Sequence, residues 1–165
     1  MRQPNHRFIY LFFYLSLYFF SSNVMAQAID SKGPGYLALK PGQLQWQQVG
    51  DMKVANLVGD WRKKGHFIIR IKLPAGFYKA PHYHPQNAYF TVLSGTFHVG
   101  PGRVLSRSRA QALPAGTFYR VRARTPHFEW ANKPVTLQLS AKGPWMTIFL
   151  HAKNKKDLKA NNNPM

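Results

Sequence analysis

His82 and His84, one residue apart within Pro81-His82-Tyr83-His84-Pro85, and a lone histidine at 127 are the side chains best suited to chemistry in this chain. Residues two apart on an extended strand project from the same face with Cα atoms about 6.5 Å apart, so two imidazoles there can reach one metal ion. His127 becomes the third ligand if the fold returns it to that face. Three neutral imidazoles plus water suit zinc, and imidazole-rich sites also accept other transition metals. The expected cofactor is therefore a divalent ion: zinc, iron, manganese, nickel or copper. Such centres serve oxygenases, hydrolases, isomerases and plain binding modules alike, so the spacing points to a metal without choosing a reaction. Alone, one His-x-His pair among seven histidines carries little, because strand histidines also serve as ordinary core or rim residues.

The elements that would hold these residues read as strands and turns. Phe67 to Leu73 sets Arg70 and Lys72 against Ile69, Ile71 and Leu73, the alternation of a half-buried strand, and Val135 to Ser140 repeats it. Glycine and proline punctuate the gaps at Pro41-Gly42, Pro74-Ala75-Gly76, Gly100-Pro101-Gly102, Pro114-Ala115-Gly116 and Gly143-Pro144. Many short strands and no long helical pattern predict an all-β barrel or sandwich. Gly95 falls between two strand-like runs, where a turn demands positive φ.

The order Gly76, five residues, His82-x-His84, three residues, position 88, six residues, Gly95 resembles the first cupin motif, and Gly116 to Ala131, containing His127, resembles the second. The resemblance runs from Gly59 to Leu150. Leu73-Pro74-Ala75-Gly76, Thr91 to Phe97, Ala112 to Gly116, Pro126 to Ala131 and Gly143-Pro144-Trp145 are similar to the wording of small, single-domain bacterial cupins, often exported and mostly without assigned function. That resemblance implies a single-domain cupin jelly-roll barrel with His82, His84 and His127 as metal ligands. Two positions depart from it. Ala88 stands where the family carries a metal-binding glutamate, and Arg122-Ala123-Arg124 replaces a Pro-x-Gly turn. Losing the carboxylate removes a ligand and a negative charge. Either the site is degenerate, or the ion keeps its full double charge, acidifies bound water more strongly and attracts anions.

Glu129, the only glutamate in the chain, lies two residues after His127 and would share its face on a continuous strand. It is a candidate fourth ligand or a general base toward metal-bound water. The reading favoured by the local charge is plainer: a surface glutamate paired with one of the nearby arginines. If position 88 faces inward as in cupins, Phe90 and Val92 share its side and line a pocket, while Tyr83, Tyr89 and Thr91 point away. Gln138 and Ser140 are further pocket candidates, although polar strand residues more often face solvent. Trp130 and Trp145 could wall the pocket or simply pack in the core. An apolar cavity with a few polar groups around a cation suits a small molecule with an anionic handle.

With 165 residues, 45% of them hydrophobic, the chain can bury one core and is short for two domains. Arg2 and Arg7, the apolar run Phe8 to Phe20 and Ala26-Gln27-Ala28 describe a secretory signal peptide, too short for a comfortable membrane span of about twenty apolar residues. The expected organisation is a signal peptide at 1–28, an N-terminal extension packing on the barrel at 29–58, the cupin barrel at 59–150, and a basic, disordered tail at 151–165. The product would be periplasmic or secreted. The absence of cysteine excludes disulfides and thiol chemistry. Stability must then come from packing and from a homodimer if one forms.

Removing Arg2 and Arg7 from 23 basic residues leaves 21 against 5 acidic ones, a net charge of +16 on the mature chain. Such a field attracts anions, by forces that salt screens. The basic residues are scattered and no nucleic-acid-reading motif is present, so nucleic acid is not the expected partner. Three functions follow: an exported metal-binding cupin acting on a small molecule, a non-catalytic small-ligand or sugar-binding module with a degenerate metal site, and a basic surface that holds the protein on anionic envelope components.

Overall fold

A computed structural model describes residues 35–150. The expected signal peptide and basic tail lie outside these residues. After a 3-10 turn at Pro41–Gln43 come β1 (Gln47–Val49), β2 (Met52–Val58), β3 (Gly65–Leu73), β4 (Phe77–Tyr83), β5 (Ala88–Ser94) and β6 (Thr96–Pro101). A second 3-10 turn, Arg107–Arg109, precedes β7 (Gln111–Pro114), β8 (Phe118–Val121), β9 (His127–Ala131), β10 (Val135–Gly143) and β11 (Ile148–Phe149). The strands form two antiparallel sheets, ordered β1-β2-β3-β10-β5-β8 and β11-β4-β9-β6-β7. This is the expected all-β jelly roll. No helix among the described residues is long and apolar enough to cross a membrane.

The six-stranded sheet follows directly from the alternation in the sequence. Phe67, Ile69, Ile71 and Leu73 of β3 are buried, as are Val135, Leu137, Leu139 and Ala141 of β10 and Ala88, Phe90 and Val92 of β5. Their partners across the pleat, Arg70, Lys72 and Gln138, are not. Each fully buried large apolar side chain contributes about 1.5–3 kcal/mol relative to exposure, so this row is the main source of cohesion. The sheet begins before Gly59: β2 pairs with β3 in a register that sets Val54 opposite Ile71, and Val54 and Ala55 are buried. Residues 47–58 thus contribute β1 and β2 to this sheet.

Gly95 is where the chain passes from β5 in one sheet to β6 in the other. Its φ is +77°, and a Cβ there would stand 2.5 Å from the Pro134 carbonyl oxygen, so both conformation and space require glycine. In the five-stranded sheet β9 is covered on both faces, all five of its residues being buried. Phe128 lies over Gly100, where any Cβ would collide with its ring, and Trp130 stacks on His98 with ring centroids 4.7 Å apart. His127 and Glu129 occupy the other face of β9.

Candidate metal centre

Strands β4 and β9 set His82 directly opposite His127 and Lys79 directly opposite Glu129. Between these pairs β4 has one residue more than β9, so the register shifts at Ala80-Pro81. The extra residue is a β-bulge, and it restores inward orientation to His82 and His84 although Phe77 and Lys79 also face inward. Without it, alternation from Lys79 would turn both histidines outward. Proline lacks the N–H that an interior strand needs, which suits it to a bulge.

The three imidazoles converge. His82, His84 and His127 are 0%, 2% and 2% exposed, and one ring nitrogen from each lies within 4.8 Å of the others. Each Nδ1–H donates to a backbone carbonyl: His82 to Ala80 at 2.7 Å, His127 to Thr125 at 2.9 Å, and His84 to Met146 at 2.8 Å. A carbonyl can only accept, so Nδ1 carries the proton and, in the neutral ring, Nε2 is left with its lone pair. This is the outer arrangement typical of metal-ligating histidines. Nε2 of His82 and of His127 is buried without a hydrogen-bond partner, a costly condition unless something else binds there. The donor set therefore fits a transition-metal ion.

Burial pushes the His82 imidazole down to about 3 and His84 down to about 4, against partial compensation by the Glu129 charge. Both stay neutral near pH 7, the form a metal requires. For His127 the same burial is outweighed by Glu129, beside its Nε2, and its pKa is raised. In the metal-free protein a proton is thus favoured between these two groups, at the position an ion would contest.

Glu129 is 4% exposed, which corrects the sequence expectation of a surface glutamate paired with an arginine. Its Oε1 lies 3.5 Å from His127 Nε2, and its Oε2 lies 3.9 Å from His82 Nε2 and 3.8 Å from Lys79 Nζ. Burial alone would raise its pKa. The contact with His127 and the charges of Lys79, His127 and His82 overcome this and hold the carboxyl well below the usual range. The local sequence misleads here because the nearby Arg120, Arg122 and Arg124 are exposed, while the partner, Lys79, comes from another strand.

Beside the histidines is a small pocket of about 30 Å3, partly open to solvent. Ile71, Leu73, Phe90, Phe97, Leu137 and Leu139 give it apolar walls, and Lys79, His84 and Glu129 are its polar groups. Phe90 thus lines the pocket. Gln138 does not: it pairs with Arg70 and Thr91 on the opposite face of β10 from Leu137 and Leu139. Ser140 shares that outer face and meets His66 Nε2 at 2.9 Å. Trp145 walls the cavity and stacks on His84, centroids 4.1 Å apart, whereas Trp130 packs on the far side of β9.

One residue of the site, Lys79, is not legible in the sequence, because its inward orientation depends on the bulge after it. Behind the wall residue Phe90, Tyr119 lies opposite it in the β5–β8 pairing and stacks on its ring at 4.7 Å, with a buried hydroxyl that has no hydrogen-bond partner. Burial and the Glu129 charge raise its pKa well above 10, so it remains a neutral donor.

The departure at Arg122-Ala123-Arg124 also has a structural answer. Arg124 has φ +60°, the one non-glycine residue with positive φ among those described. Its N–H donates to the His84 carbonyl at 2.7 Å, and the Ala123 N–H donates to Asn87 Oδ1 at 2.8 Å. These bonds hold the turn in a conformation that costs a β-carbon-bearing residue roughly 1–2 kcal/mol.

No protein-family model matches the chain, and no curated protein does. Among solved structures it is similar to an RmlC-like cupin from Shewanella frigidimarina, with 19% identity over 63% of this chain and 87% of that one and a TM-score of 0.52. It is also similar to the polyketide cyclase RemF from Streptomyces resistomycificus, with 10% identity over 75% and 91% of the two chains and a TM-score of 0.58. A third likeness is to the DMSP lyase DddQ from Ruegeria pomeroyi, with 15% identity over 69% and 64% and a TM-score of 0.52. At these identities what is shared is the fold: a cupin jelly roll.

Proposed function

We propose that this cupin-fold chain holds a divalent transition-metal ion on His82, His84 and His127 and presents it to a small, anionic organic molecule in the adjoining cavity. The observation that carries this reading is the set of three Nδ1–H bonds to backbone carbonyls, which leaves Nε2 as the free nitrogen of each of three converging, buried imidazoles. A bound ion would supply Lewis-acid polarisation of a ligand oxygen. The chain's own contribution is the apolar wall and the Lys79 ammonium as an anion-attracting group. Differences in these groups, not in the fold, would set what the site accepts.

The test is elemental analysis of the purified protein beside the His82→Ala/His84→Ala double variant, followed by thermal unfolding with and without added metal. Wild type should carry close to one equivalent and the variant none. Metal at about 100 times its Kd should stabilise the wild type by about 2.7 kcal/mol and leave the variant unmoved. Equal trace metal in both would end this reading and leave a metal-free cavity that binds a ligand by shape alone. We further propose, from Arg2, Arg7, Phe8 to Phe20 and Ala26-Gln27-Ala28, that the chain is exported; a purified N-terminus at residue 1 by mass spectrometry would refute that part.

A further inference from the structure

The three-histidine reading leaves one buried acid in the cavity wall without a role. We propose that Glu129 is itself a ligand of the same ion, a carboxylate supplied by β9 where β5 offers only Ala88. The inference rests on the three-histidine reading and adds a fourth protein donor to it.

Position comes first. Glu129 follows His127 by two residues on β9, so both project to one side, and Lys79 faces it from β4 as His82 faces His127. Its oxygens lie 3.5 Å from His127 Nε2 and 3.9 Å from His82 Nε2. Ligands arranged tetrahedrally at about 2.1 Å from an ion stand about 3.4 Å apart, so only a small contraction is needed to share one coordination sphere. Satisfaction comes next. His82 Nε2, His127 Nε2 and Glu129 Oε1 are all buried, and none has a hydrogen-bond partner. These three atoms face one buried region, and a cation bound there would satisfy all of them while displacing the proton that His127 and Glu129 otherwise share. Lys79 Nζ, 3.8 Å from Oε2, offsets part of the carboxylate charge and leaves Oε1, the oxygen nearer His127, without a partner. On β5, Ala88 is fully buried and carries no donor.

The consequence is chemical as well as geometric. Three imidazoles and one carboxylate leave a divalent ion with a single net positive charge, and the oxygen donor shifts preference toward manganese relative to an all-imidazole set. Glu129 acting only as the ion-pair partner of Lys79 would weaken all metals alike when removed.

Two measurements decide. In a crystal structure of the zinc-loaded wild type, an oxygen of Glu129 should lie about 2.0–2.2 Å from the ion; a distance beyond 3 Å overturns the proposal, with no variant needed. In calorimetric titrations, Glu129→Gln should lower manganese affinity at least a hundredfold and zinc affinity tenfold or less, whereas Lys79→Met should leave the ratio of the two near its wild-type value. An unchanged ratio in Glu129→Gln sinks this inference alone. A wild type that takes up neither metal sinks the three-histidine reading and this proposal with it.

Discussion

The inner face of the six-stranded sheet carries Ile69, Ile71, Phe90, Val92, Leu137 and Leu139, whereas the inner face of the five-stranded sheet carries Lys79, His82, His84, His127 and Glu129. Both surfaces are buried and border one cavity; the second also gives Phe77, Phe97 and Leu113 to the shared core, but it alone sets histidine and charged side chains among them. Buried polar groups cost free energy unless partnered. Three backbone carbonyls satisfy one nitrogen of each ring, while two of the outer nitrogens and a carboxylate oxygen remain unsatisfied. Both sheets supply cohesion, and the five-stranded one also carries a local deficit that a bound cation would relieve.

Leu139→Ala is the largest test of that division. Removing a fully buried leucine should cost about 2–5 kcal/mol in urea unfolding while leaving metal stoichiometry at the wild-type value. His82→Ala/His84→Ala should do the reverse, abolishing metal uptake with a smaller loss in the metal-free state, because the variant also sheds unsatisfied polar groups. Should the histidine variant prove the less stable of the two without metal, the comparison fails.

Acid provides the next test. His82 and His84 have folded pKa values of about 3 and 4 against an ordinary value of 6.5, so below pH 6.5 the unfolded chain takes up protons that the folded one refuses. Their contribution is fully present above pH 6.5 and is lost as pH falls from there through about 4 for His84 and about 3 for His82. His127, raised by Glu129, works in the opposite direction, being most stabilising below its ordinary value and losing that effect as pH rises through its folded pKa. With His98, also lowered by burial, acting in the same sense as His82 and His84, the metal-free protein should be less stable at pH 5 than at pH 7, measurable as a lower urea midpoint. Metal affinity should also rise with pH, by at most about tenfold per unit, until His127 has lost its proton. A midpoint that rises on acidification would show that the two histidines are not buried neutral.

Arg124→Gly is the smallest test. Glycine adopts φ +60° without steric penalty but adds freedom to the unfolded chain, so a net gain of roughly 0.5–1 kcal/mol is expected, with metal content unchanged. A loss of stability would mean that the guanidinium contributes more than the turn strain costs.

The six-stranded sheet was readable because alternation along β3 and β10 is a local signal that tertiary contacts reinforce. The three histidines were readable because spacing of two on a strand survives whatever the strand pairs with. Glu129 was misjudged for a specific reason. Its neighbours Phe128 and Trp130 belong to a strand covered on both sides, and a charge count along the chain registers the exposed Arg120, Arg122 and Arg124 but not Lys79 across the sheet. Lys79 itself was hidden by the bulge at Ala80-Pro81, since counting by twos from His82 gives the wrong face. Gln138 shows the converse: a polar residue in an apolar alternation belongs to the outside, as the pattern around it already implied.

His84 differs from the other two histidines in what orients it. Their acceptors lie two residues upstream on their own segments, but its acceptor is Met146 and its ring is overlaid by Trp145, both from the stretch ahead of β11. β11 then lies along β4, pairing Phe149 with His82, and the Leu150 N–H donates to the Pro81 carbonyl at 2.8 Å. The final described strand is thus a clasp over the first two histidines. A chain ending before Trp145 would keep every metal-binding side chain named here, yet one ring would be free to spin and expose the wrong nitrogen.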